Sequence, residues 1–367
     1  MEAILNSLSK SLNREEVVRF NIMRKNVWDG TKRAMTRANF SPYKRIDVKF
    51  TDDLGVSEGA VDLGGPKREF FRLVLLYLKE ESGIFEGPDE AKILSCNTEA
   101  LKASTYFHAG QILAMTVVHG GPPPCFLSKV LYEALIKGPT DVRVNIDHVF
   151  DQEVHGQLKA INDATTDEDL SNSVELAASI LSLSGCFKKV DHHNKGDVVL
   201  DVAHWYVFQR TRSNFESFKE GLGALEILEA IQHHPEVLKS VFTNTGKKLT
   251  ASDVENLFTV SMSEIGSNRF QRESCTVGFW RDYLQDAEFD PEAVSLEDLL
   301  IFITGSDKIP PLGFCPTPCL EFLHDGSRFP LANTCDNVIR IPFKQSFSEF
   351  KSDMDFGIKN SPGFGTA

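Results

Sequence analysis

Arg328-Phe329-Pro330-Leu331-Ala332-Asn333-Thr334-Cys335-Asp336-Asn337-Val338-Ile339-Arg340-Ile341-Pro342 is the stretch on which the reading of this chain turns. A proline-led loop enters a short strand, Val338 to Ile341, marked by its β-branched residues. Cys335 sits in the loop between Thr334 and Asp336, whereas structural cysteines usually have apolar neighbours. Only a thiolate is nucleophilic, so the charges around it matter. Asp336 facing the thiol and Arg328 or Arg340 folding back would act on it in opposite senses, and the sequence leaves both open. On its residues alone, Cys335 is either a nucleophile or an inert loop cysteine.

Working outward, Ser346-Phe347-Ser348-Glu349 reads as a capping box, and Phe347, Phe350, Met354 and Ile358 mark an amphipathic helix behind it. Asn360 to Ala367 form a tail with one aromatic, Phe364. Upstream, Ser295-x-x-Asp298 caps a helix carrying Leu296, Leu299, Leu300 and Ile303, and Thr250-x-x-Asp253 caps another. The polar run Thr243 to Lys248 suits a hinge or linker. Residues 204–232 read as helical until His233-His234-Pro235. Val198 to Val202 fits either a strand or a helix start. Residues 162–175 are acidic and rich in capping residues, an exposed connection into a helix near 173–183. Ser128 to Ile136 and residues 104–119 are helices, stopped by Gly138-Pro139 and by Gly120-Gly121-Pro122-Pro123-Pro124. Ile46-Asp47-Val48-Lys49-Phe50 alternates as a half-buried strand. Gly64-Gly65 makes a turn, and Pro66 fits the first position of the helix that follows. Residues 1–15 are expected to be a loose lead-in.

Composition narrows the class. The chain has 367 residues, 41% apolar and 25% charged, which disfavours disorder and coiled coil. With Lys+Arg 39 against Asp+Glu 52, the net charge is −13. That argues against nucleic acid and against anionic membrane, and it suits a partner with a basic face. No run approaches the ~20 apolar residues of a membrane span, and the N-terminus lacks a secretory pattern. Seven scattered cysteines are read as reduced thiols in a cytoplasmic or nuclear protein. Cys315 and Cys319 have no second ligand pair at zinc spacing, so neither a metal nor a cofactor is expected. His192-His193 and His233-His234 read as solvated loop residues. His324 is the histidine nearest Cys335 in sequence. No serine-hydrolase elbow or zinc-protease motif occurs.

Several segments, in order, resemble the HECT domain of HECT-type ubiquitin ligases. They are Gly59-Ala60-Val61-Asp62-Leu63-Gly64-Gly65 with Arg68-Glu69-Phe70-Phe71; Phe107 to Ala114 with His119-Gly120; Phe279-Trp280; Phe302-Ile303-Thr304-Gly305 with Pro310-Pro311-Leu312-Gly313-Phe314; Pro330 to Pro342; and Gly363-Phe364-Gly365. The match spans roughly residues 45–367 and is poorest over about 140–210. Its flavour is that of the divergent branch that includes a cell-cycle-phase-specific ligase.

The resemblance implies an α+β, bilobal fold. A larger, mainly helical N-lobe would cover residues 16–248 and dock a conjugating enzyme within about 140–210. A smaller α/β C-lobe would cover 249–367. Cys335 would carry ubiquitin as a thioester before passing it to a substrate lysine, with Thr334, Asn333 and Phe364 in support. Asn333 and Asp336 depart from the family, which commonly has His and Phe there. Asn does not titrate near neutrality, so position 333 supplies no proton chemistry. The alternative is a catalytically weak or inactive scaffold that binds ubiquitin or partner proteins.

Overall fold

The computed structural model describes residues 1–51, 64–290 and 294–361. Gly59 to Leu63 and the tail containing Phe364 lie outside the described residues. The chain forms two compact units, one from Met1–Leu75, Met115–Pro123 and Gly246–Ala367, the other from Leu76–Ala114 and Pro124–Thr245.

The first unit opens with a helix, α1 (Glu2–Ser9), that buries Leu5 and Leu8. Residues 1–15 are therefore not a loose lead-in. Two apolar contacts one turn apart carry too little periodicity to be seen in sequence. Strand β1 (Asn13–Met23) pairs in parallel with β2 (Lys44–Thr51), and α2 (Val27–Met35) makes the crossover that parallel pairing requires. Val18, Phe20 and Ile22 face inward beside Ile46, Val48 and Phe50, the alternation expected of β2. Helix α3 (Gly65–Glu80) follows, with Pro66 in its first turn, and buries Phe70, Phe71 and Val74.

The C-terminal part of this unit contains α4 (Ala251–Glu255), β3 (Thr259–Val260), α5 (Asn268–Phe289), α6 (Leu296–Thr304), β4 (Cys319–Leu323), β5 (Leu331–Asn333), β6 (Val338–Pro342) and α7 (Phe347–Lys359). The sheet order is β3-β4-β6-β5, parallel except for the last pair. Leu320, Phe322, Ile339 and Ile341 of the central strands meet Trp280, Tyr283, Leu299, Ile303, Phe350 and Met354 of the helices in one core. The capped starts expected at Thr250 and Ser295 form, both as capping boxes, whereas Ser346, read as a capping box, caps α7 through the bond it accepts from the Glu349 N–H. Each satisfies amides that a helix start leaves unpaired.

The second unit is helical apart from a two-residue strand pair, Phe85–Glu86 with Ile93–Leu94. The acidic stretch is itself mostly a helix, Asp167–Leu176, capped by Thr166; Asp167, Glu168 and Asp169 fill its first turn, where negative charge complements the helix dipole. Val198 to Val202 lies within a helix, Lys195–His204. Among the described residues no helix is long and apolar enough to cross a membrane.

The division falls at Thr245/Gly246, inside the polar run 243–248. Met1–Leu75 and Met115–Pro123 group with Gly246–Ala367.

Candidate active site

The loop around Cys335 is more ordered than the sequence indicates. Leu331 pairs with Arg340 and Asn333 with Val338, so β5 and β6 form a hairpin whose turn is Thr334-Cys335-Asp336-Asn337. Three residues of β5 are too few to show a strand's alternation. Four-residue hairpin loops are commonly built around a tight turn, and this one closes on Asn337 in the left-handed region, φ 56°. Asparagine tolerates that region better than most residues.

Asn333 shapes the turn from its entry. Its Oδ1 accepts from the N–H of Cys335 at 3.0 Å and of Asp336 at 3.4 Å. Its Nδ2 donates to Asp336 Oδ2 at 2.6 Å. This is a side chain standing in for backbone turn bonds. It also settles where Asp336 goes: its carboxylate is tied to Asn333.

Asn337 shapes the turn from its exit. It is 0% exposed. Its Nδ2 donates to Pro316 O at 2.7 Å, and its Oδ1 accepts from Arg68 Nη2 at 2.5 Å. Arg68 also donates from Nη2 to Thr334 O at 2.5 Å and from Nε to Thr304 O at 2.7 Å. The first turn of α3 thus grips the catalytic-loop candidate. The approach is close. A Cβ built on Gly65 would lie 2.3 Å from Thr334 Oγ1 and 2.9 Å from the Thr334 carbonyl carbon. A groove of about 410 Å³ flanks the turn, lined in part by Glu69, Arg72, Leu331, Ala332, Thr334 and Phe356.

The arginines nearest in sequence do other work. Arg328 Nε lies 2.9 Å from Asp353 Oδ1, and Lys344 bonds the other carboxylate oxygen. Burial alone would raise the Asp353 carboxyl, but the bonds from Lys344 and Arg328 outweigh it and hold it below the ordinary carboxylate range. Arg340 Nε is 2.7 Å from Glu321. The cation at the turn is Arg68, 267 residues upstream of Cys335 in the chain. His324 is also engaged away from the thiol, its Nε2 3.1 Å from Glu273 Oε1 and its ring against Phe343.

The structure therefore brings together Cys335, Thr334 and Asn333, as the sequence placed them. Cys335 is half-buried, and all seven cysteines are thiols. Among the described residues no His, Cys, Asp or Glu cluster could hold a metal. Sequence reasoning gave no role to Asn337 or Arg68. An asparagine ahead of a strand is a usable turn signal for the first; the second stands in a segment that carries the resemblance, which gives it no partner.

Fold and site together define an α+β protein that presents a partly exposed thiol on a braced hairpin turn. The HECT-domain (ubiquitin-transferase) profile matches residues 72–367, and the chain belongs to that family. The G2/M phase-specific E3 ubiquitin-protein ligase of Homo sapiens is 36% identical over 353 residues, covering 95% of this chain and 48% of the relative. The protein of the same description from Gallus gallus is 33% identical over 363 residues, 98% of this chain and 47% of the relative. The E3 ubiquitin-protein ligase RSP5 of Saccharomyces cerevisiae is 22% identical over 369 residues, 94% and 43% of the two chains. The chain spans about half the length, or less, of these curated relatives.

Proposed function

We propose that this chain is a ubiquitin-protein transferase in which Cys335 takes ubiquitin from a conjugating enzyme and passes it to a substrate lysine. The observation that carries the reading is the braced turn presenting a cysteine, in a chain of this family. The Cys335 thiolate would attack the carbonyl of the thioester between ubiquitin's C-terminal glycine and the conjugating enzyme's cysteine. That enzyme's thiolate leaves. A lysine amine then attacks the new thioester, Cys335 leaves as thiolate, and the amine gives up its proton. Covalent catalysis divides the transfer in two. Thioester exchange is nearly neutral in energy, so placing the reacting atoms is the protein's main contribution. Asn333 supplies that by shaping the turn, and Thr334 by its fit against Gly65. Phe364 would help place the C-terminal lobe for transfer.

We further assign conjugating-enzyme docking to the second unit. Within residues 140–210, Leu176, Leu183 and Phe187 are 75%, 70% and 84% exposed. Large apolar side chains so exposed are a mark of protein recognition when they gather in one region. A hinge in the polar run 243–248 would let Cys335 visit donor and acceptor in turn. The seven thiols suit the reducing cytoplasm or nucleus.

The test mixes the protein with ubiquitin, ATP, activating enzyme and a panel of conjugating enzymes, followed by a non-reducing gel. The reading expects a reductant-sensitive ubiquitin adduct that Cys335→Ala abolishes. A scaffold that only binds would be indifferent to that substitution. No adduct with any conjugating enzyme, from folded protein, would sink the reading.

A further inference from the structure

Arg68 is 4% exposed, and among the described residues it donates to three oxygens. One donor bond goes to Thr304 O at the C-terminal end of α6, where helix carbonyls lack partners and the dipole is negative. The other two go to Thr334 O and Asn337 Oδ1, the first and last residues of the four-residue turn. Between those two fixed points stand only Cys335 and Asp336. Asp336 is itself tied to Asn333. The backbone on both sides of the thiol is thus held by a single guanidinium, and Asn337 passes the restraint on to Pro316. A buried cation is costly unless its protons are satisfied, so this bonding pattern is a built feature of the site.

We propose that Arg68 is a positioning residue for Cys335, setting the one conformation in which the turn presents the thiol. The inference rests on the reading of Cys335 as nucleophile. Arginine is required because its planar fork reaches three oxygens at fixed angles, whereas a lysine ammonium is a point charge on a flexible stem. Loss of such placement by about 1 Å can cost about 100-fold in rate with no catalytic group removed.

The test is single-turnover transfer of ubiquitin from a charged conjugating enzyme, at varied enzyme concentration, for wild type, Cys335→Ala, Arg68→Ala and Arg68→Lys, each checked for folding by circular dichroism. Arg68→Ala and Arg68→Lys are expected to lower the maximal rate at least tenfold while leaving the half-saturating concentration within about twofold, because Arg68 bonds the turn that carries the thiol. Added guanidinium ion should restore part of the rate to Arg68→Ala and none to Cys335→Ala. A folded Arg68 variant with wild-type rate overturns the inference. So does a loss confined to half-saturation, or one that guanidinium leaves untouched. If Arg68→Ala does not fold, Arg68→Lys decides; if neither folds, the role is purely structural and the inference fails. A wild type that forms no adduct, or an active Cys335→Ala, defeats the nucleophile reading instead, and the same gels show which has failed.

Discussion

Two asparagines, one at each end of the turn, give Cys335 its setting, and they differ in what they can lose. Asn337 combines a positive φ with two hydrogen bonds and full burial. Asn337→Ala should cost about 2–4 kcal/mol, the sum of left-handed strain and unmet partners. Asn337→Gly should recover the strain share alone, and urea unfolding of the pair separates the two. Asn333→Ala removes exposed turn bonds and should cost about 1 kcal/mol. His119 carries a different signature. Burial lowers its pKa to about 4 despite the bond from its Nε2 to Pro42 O. The unfolded chain, with histidine near 6.5, takes up the proton first as pH falls. Stability from this site is full above pH ~7 and is lost from about 6.5 down to 4, about 2 kcal/mol between pH 7 and pH 5. His119→Gln should flatten that part of a stability–pH profile; an unchanged slope would rule the assignment out. Polar neighbours singled out Cys335 in the sequence but left it between nucleophile and inert loop cysteine; the role assigned to it comes from the resemblance. The contact of Arg68 with the turn was not legible, since a bond between residues 266 apart leaves no local trace.

At the scale of elements, capping chemistry read well because it is local. Thr250, Ser295 and Ser346 each begin a helix as their spacing predicts. Three elements escaped for opposite reasons. α1 and β5 are too short for a period to show, and Asp167–Leu176 is so acidic that composition masks its helical register. The seam between α3 and the hairpin is the element contact most sensitive to bulk. Gly65→Ala would put a methyl into Thr334, whose backbone cannot give way as a side chain would. We expect about 1–3 kcal/mol of destabilisation by the usual cost of overpacking, with a slower transfer rate in the gel assay. In α7, Phe350→Ala should cost about 3–5 kcal/mol, because Phe350 is fully buried in the core beside Tyr283. A chevron or equilibrium melt within 1 kcal/mol of wild type would contradict that.

On the scale of the whole molecule, the mixed helix and strand content and the family were legible from motifs scattered over most of the chain. The grouping of Met1–Leu75 with Gly246–Ala367 was not, because it is made by tertiary bonds such as those of Arg68. Among the described residues, the core cluster of the C-terminal part draws on residues between Ala251 and Ile358, with Leu249 packed against it. Residues 246–367 expressed alone should therefore unfold cooperatively, at lower stability than in the full chain for want of the α3 contacts; a featureless melt would show that the core depends on the N-terminal segment. The interleaving also sets an order of assembly. The second unit ends at Thr245, whereas the first is complete only when its last segment joins Met1–Leu75. At about 5–20 residues per second of synthesis, the 266 residues between Arg68 and Thr334 take roughly 15–50 s to appear. Through that interval the helical unit can close on the ribosome while the α3 face waits with its apolar residues uncovered, which makes the nascent chain a natural client for chaperones.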